Sequence, residues 1–132
     1  MTSQTIQPNS PKKVYIAGNP YLNDDNISHA IARILSLEHD IKTIPLLSPD
    51  DILLINEEDI TIIDVVKGIT EPIHITDAST LKTRHLMSLH DFDFGYFLNM
   101  MNELGIGKRL NIIGIPQNGD ITAISGQVKE WI

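Results

Sequence analysis

The sequence contains no cysteine. That excludes disulfides, thiolate metal sites and a cysteine nucleophile. Positive charge is also scarce: ten Lys and Arg stand against seventeen Asp and Glu, for a net charge of −7. A nucleic-acid binder needs a basic footprint, so this balance argues against one. No apolar run approaches the ~18 residues that cross a membrane as a helix. The polar start, MTSQTIQPNSPKK, lacks the apolar stretch of a signal peptide. Also missing are a His-Glu-x-x-His pair, a Gly-x-Ser-x-Gly elbow and a Gly-rich phosphate loop. The expectation is a cytoplasmic globular protein with no nucleic-acid or membrane partner.

What is present fits one domain. A chain of 132 residues is long enough to bury a substantial core. Residues 1–12 read as a flexible polar leader and 13–132 as the folded domain. Val14-Tyr15-Ile16-Ala17 is a short apolar run that stops at Gly18-Asn19-Pro20, which is a strand ending in a turn. Asp24 or Asp25 then offers an N-cap, and Ile27, Ala30, Ile31, Ile34 and Leu35 form one apolar helical stripe. A strand is expected over 42–47 with Pro45 inside it. Ser48-Pro49-Asp50-Asp51 suits the start of a short helical piece.

Ile60 to Val66 is nearly continuous and β-branched, the pattern of a strand covered on both faces. Further strands are expected over 73–77 and 110–115. A second helix is expected over 91–104, with Phe94, Phe97, Leu98, Met101 and Leu104 on one face and Gly105 as its stop. Residues 121–132 support no assignment. The alternation of strands and helices predicts an α/β fold: a single three-layer domain with a twisted, mostly parallel sheet of about five strands and helices on both faces.

Sites in open α/β sheets lie at the carboxyl ends of strands. Two such ends carry acids here, Asp24 and Asp25 after the first strand and Asp64 within Ile63-Asp64-Val65. A carboxylate inside an apolar run is costly unless paired, hydrogen-bonded or bound to a cation. Each acid also has an ordinary reading, as a helix cap or a turn cap. Of the five histidines, His29 lies off the apolar helix stripe, His39 and His85 lie in polar stretches, and His74 sits in a short strand. His90 directly precedes the second helix, where a loop ligand can meet strand ends. Imidazole is the commonest metal ligand. From the residues alone the reading ends at an α/β domain with an Asp/Asp/His cation site as one option.

Three segments carry a resemblance. Val14-Tyr15-Ile16-Ala17-Gly18-Asn19-Pro20-Tyr21-Leu22-Asn23-Asp24-Asp25, Ile62-Ile63-Asp64, and Ser88-Leu89-His90-Asp91-Phe92 resemble, in the same order and at similar spacing, segments of the hydrogenase maturation endopeptidases. The last strand, with Pro116 after it, fits as well. Members of that family trim the C-terminal tail of the nickel-loaded large subunit of nickel–iron hydrogenases. The resemblance implies that Asp25, Asp64 and His90 form the catalytic and nickel-sensing site. It also implies that the nickel is carried by the substrate rather than permanently bound, and that the partner is a hydrogenase large-subunit precursor. Two carboxylates and an imidazole suit a borderline divalent ion with open coordination positions.

The sequence departs from the family in three places. Asn26-Ile27-Ser28 replaces a Gly-x-Gly, Leu46–Asp51 stands where an Asp-Gly-Gly turn is usual, and Leu89 replaces a proline. The altered 46–51 loop motivates an alternative, a non-catalytic, chaperone-like protein that binds the immature large subunit. An unrelated α/β small-molecule binder is a third reading, because fold alone does not fix function.

Overall fold

The structure, a computed structural model, describes residues 12–17, 26–47, 49–76 and 109–132. Along the chain run β1 (Lys13–Ala17), α1 (Asn26–His39), β2 (Lys42–Leu46), a 3₁₀ helix (Pro49–Leu54), β3 (Asp59–Val65), β4 (Ile73–Ile75), β5 (Arg109–Ile115) and α2 (Ile121–Glu130). The five strands form one sheet in the order β2-β1-β3-β5-β4. All pairings are parallel except that of β4 with β5. The protein has the expected α/β architecture with a mostly parallel five-stranded sheet.

Burial explains which strands sit inside. β3 is the central strand, and Ile60, Ile62, Ile63 and Val65 are all essentially inaccessible. Its β-branched run therefore has cover on both faces. β2 and β4 are the edges. Pro45 is tolerated in β2 because an edge strand can spare an amide donor. At the start of β3 and β5 the register is marked by a forked pair, in which Arg109 Nε and a terminal guanidinium nitrogen donate to the Asp59 carboxylate at 2.6 and 2.9 Å. The hydrogen bonds from Arg109 hold that carboxyl below its ordinary range.

One face of the sheet presents Val14, Ile16, Ile63, Val65, Ile113 and Ile115 to Ile27, Ile31 and Leu35 of α1 and to Ile124 and Val128 of α2. The opposite face carries Tyr15, Ala17, Leu46, Ile60, Ile62, Ile75, Leu110 and Ile112, with Ile52 of the 3₁₀ helix packed on it. Among the described residues both α-helices thus cover one face, and the 3₁₀ helix covers the other. The helix expected over 91–104 lies outside the described residues.

α1 ends as its sequence allows. Asp40 adopts a left-handed φ of 52° and the Ile41 amide donates back to the Leu35 carbonyl at 3.2 Å, closing a Schellman-type stop. The tail, which gave no assignment from sequence, is α2. Asp120 caps it by accepting from the amides of Thr122 and Ala123 at 3.0 and 3.3 Å. Ser125 lies on its buried side, and among the described residues its hydroxyl has no hydrogen-bond partner. Ser125→Ala is therefore expected to stabilise the protein by about 1 kcal/mol, since it removes an unsatisfied buried polar group and favours the helix. Urea unfolding, read as a shift in midpoint at unchanged slope, checks this.

Candidate functional site

The strand order creates a natural site. From β1 the chain passes through α1 to β2 on one side, then returns to place β3 on the other side of β1. The winding therefore reverses between β1 and β3. In open α/β sheets, ligands bind outside the carboxyl ends of the strands at such a reversal. β1 ends at Ala17, and Asp64 lies one residue before the end of β3.

Asp64 is 1% exposed. Strand alternation places it on the face of Ile60 and Ile62, away from α1 and α2. In β5 its register partner is Gly114. A carboxylate buried this deeply at the reversal point is expensive without compensation. Its place at the reversal makes it the described residue best placed to meet a cation or a substrate group.

Two of the three predicted site residues, Asp25 and His90, lie outside the described residues, as do Asp24 and His85. Their convergence with Asp64, expected at roughly 4–7 Å between ligand atoms around a common ion, concerns atoms beyond those described. Among the described residues no three His, Asp or Glu side chains come together as a metal site. His29 and His39 are exposed on α1. His74 has a structural setting: its ring stacks on Trp131 at 5.1 Å and 17°, and its Nε2 hydrogen-bonds to Asn111 Oδ1. The Asn111 amide nitrogen donates to the Trp131 carbonyl at 2.8 Å and to Thr61 Oγ1 at 3.3 Å. With that nitrogen engaged as donor, Asn111 presents its oxygen to the ring, and His74 must donate from Nε2. His74 thus ties the edge strand to the end of α2.

A large shift in acidity occurs at Tyr15, among the described residues. Burial, followed by the hydrogen bond and the negative charge of Glu57, pushes the Tyr15 hydroxyl up to about 12. Tyr15 is 7% exposed and its hydroxyl donates to Glu57 Oε1 at 3.0 Å, with Lys13 Nζ at 3.8 Å from the same oxygen. This arrangement holds the segment before β3 against the sheet and is structural. Between pH about 10 and about 12 the unfolded chain releases a proton that the folded chain keeps, so stability falls across that window and is untouched below it. Discounted for solvent screening around the hydroxyl, the full loss is about 1–2 kcal/mol. Denaturant unfolding at alkaline pH should show this loss in the wild type and not in Tyr15→Phe.

Gly114 belongs to none of the sequence motifs, although a lone glycine in a β-branched strand is the usual sign of a close approach. The loop departure at 46–51 takes a definite form. Leu47 donates its amide to Asp51 Oδ2 at 3.1 Å, and the 3₁₀ helix that follows buries Ile52 while leaving Leu53 and Leu54 exposed. No described helix is long and apolar enough to cross a membrane.

No protein-family model matches the sequence, and no curated protein matches it at the level of sequence. The fold does have a solved counterpart. The solution structure of the endopeptidase HycI from Escherichia coli aligns with a TM-score of 0.55 at 19% identity, over 90% of this chain and 87% of that one. The chain has the fold of that endopeptidase, a single α/β domain built on a five-stranded, mostly parallel sheet.

Proposed function

We propose that this protein is a nickel-dependent endopeptidase of the hydrogenase maturation type. It removes the C-terminal tail of a nickel–iron hydrogenase large-subunit precursor in the cytoplasm. The observation that carries this reading is Asp64, a buried carboxylate at the β1/β3 reversal of a HycI-like fold. The motif resemblance supplies Asp25 and His90 as its partners.

In this reading the nickel arrives with the substrate. Asp25, Asp64 and His90 provide two carboxylates and an imidazole, a donor set that leaves open positions for ligands from the precursor. The enzyme thereby distinguishes loaded from unloaded precursor before cutting. An ion held there by Asp25, Asp64 and His90 would supply Lewis-acid chemistry, polarising a nearby carbonyl or lowering the pKa of a bound water.

A second reading rests on one observation. Leu47, Leu53 and Leu54 are 63%, 44% and 80% exposed, and Leu47 directly follows the end of β2, at the sheet end that holds Asp64. Such apolar exposure suits a chaperone-like protein that holds the immature subunit without cutting it. Mass spectrometry of a nickel-loaded precursor incubated with the protein separates the two. Loss of a defined C-terminal peptide, with nickel-free precursor left whole, supports the peptidase. Stable complex formation without any mass loss moves the assignment to the holding role.

A further inference from the structure

The row of side chains across the carboxyl end of the sheet is uneven. Ala17 pairs with Leu46, Asp64 with Gly114, and Gly114 with Ile73. Continuing the Ile16–Ile63 pairing by one residue puts Ala17 beside Asp64. On the face opposite α1 and α2 the row thus reads Leu46, Ala17, Asp64, Gly114, Ile73.

Gly114 is not required for backbone conformation, because the positive-φ glycines among the described residues are Gly68 and Gly119. It is required for space. A Cβ on Gly114 would lie 2.8 Å from Ile73 Cγ1 and 3.0 Å from Val66 Cγ2. The first distance is shorter than real contacts and the second is tighter than most of them, so something would have to move. Cγ1 is bonded directly to the branching Cβ of a side chain that is stiff at χ1, and it cannot swing aside as a flexible tip does. The yielding part would be Ile73 itself, on a three-residue edge strand, or Val66, two positions beyond Asp64 on the same face.

We propose that Gly114 is a positioning residue for Asp64. Its bare Cα lets Ile73 and Val66 close into one apolar wall along the β5 side of the carboxylate. The wall holds the carboxylate in one place and keeps water from that flank, where a low-dielectric setting strengthens its attraction for a cation. The consequence for catalysis rests on the peptidase reading; the packing itself does not. A reacting group misplaced by about 1 Å costs on the order of a hundredfold in rate.

The test compares Gly114→Ala, Ile73→Ala and the double variant with the full-length wild type. Two quantities are read: cleavage of nickel-loaded precursor, and the Asp64 carboxyl carbon signal in ¹³C NMR at one fixed neutral pH. That signal is assigned by its disappearance in Asp64→Asn. Gly114→Ala is expected to lower kcat about ten- to a hundredfold with KM little changed, and to move the carboxyl signal. In the double variant the new methyl fills the space vacated by Ile73, so much of the loss should be recovered and the two substitutions should be non-additive.

A Gly114→Ala protein that cleaves at the wild-type rate with an unmoved Asp64 signal overturns the proposal. If the wild type itself cleaves nothing, the peptidase reading fails and the NMR signal alone decides the role of Gly114. If Gly114→Ala does not fold, Ile73→Ala decides: it introduces no overlap, yet it removes the wall and must still move the signal. An unmoved signal in that variant refutes the proposal.

Discussion

Cleavage of a nickel-loaded large-subunit precursor is expected to fall at least about a hundredfold when Asp25→Asn and His90→Ala are combined. Losing only an outer-shell partner of a metal already costs about ten- to a hundredfold, and this variant removes two proposed ligands. Asn keeps the shape of Asp but withdraws the charge and one acceptor, while Ala removes the imidazole altogether. Circular dichroism and the thermal midpoint should stay close to wild type, which separates lost recognition from lost folding. Nickel-free precursor, left whole by the wild type, is the control for metal reading. Undiminished cleavage by the double variant would remove the basis for the mechanism. Asp64→Asn is expected to abolish cleavage too, but it also alters a buried group, so its stability must be measured alongside.

How much of this was legible in the sequence differs from element to element. β1, β3 and α1 could be read because burial leaves a direct mark: an unbroken β-branched run for a strand covered on both faces, and a stripe at helical spacing for α1. The antiparallel direction of β4 could not be read. Ile73-His74-Ile75 looks the same in either orientation, and only its pairing with Ile112–Gly114 fixes it. α2 was hidden because β-branched Ile121 and Thr122, together with Gly126, weaken helix propensity, and Ser125 interrupts its apolar side. The legible clue was Asp120, which caps the helix as acids do.

The candidate site divides in the same way. That Asp64 needs compensation follows from a charge inside an apolar run, and its burial agrees. The role proposed for Gly114 did not follow, because sequence records only a missing side chain. What fills the gap, Ile73, belongs to a different strand and reaches it through the sheet register. The resemblance alone proposes Asp25 and His90, which no local pattern would join to Asp64 across 39 and 26 positions.

The largest loss of stability is expected at Ile63. It is fully buried in the central strand, beneath α1 and α2. Its neighbours on that face, Ile16 and Ile113, belong to the strands on either side. Because strands hold those neighbours from both sides and helices cover them, little can collapse into the space that Ile63→Ala would open. Truncation of a buried Ile or Leu to Ala costs about 2–5 kcal/mol, and the upper end belongs to sites that cannot relax. A domain of this kind has about 5–15 kcal/mol in all, so the variant should lose a large fraction of its stability. At about 3–5 °C per kcal/mol for this size, the thermal midpoint should drop by roughly 10–20 °C. Leu37→Ala is the matched control, since Leu37 is 77% exposed on α1 and substitutions at such positions stay within about 0.5 kcal/mol. Equal midpoints for the two variants would contradict the placement of β3 at the centre of the sheet.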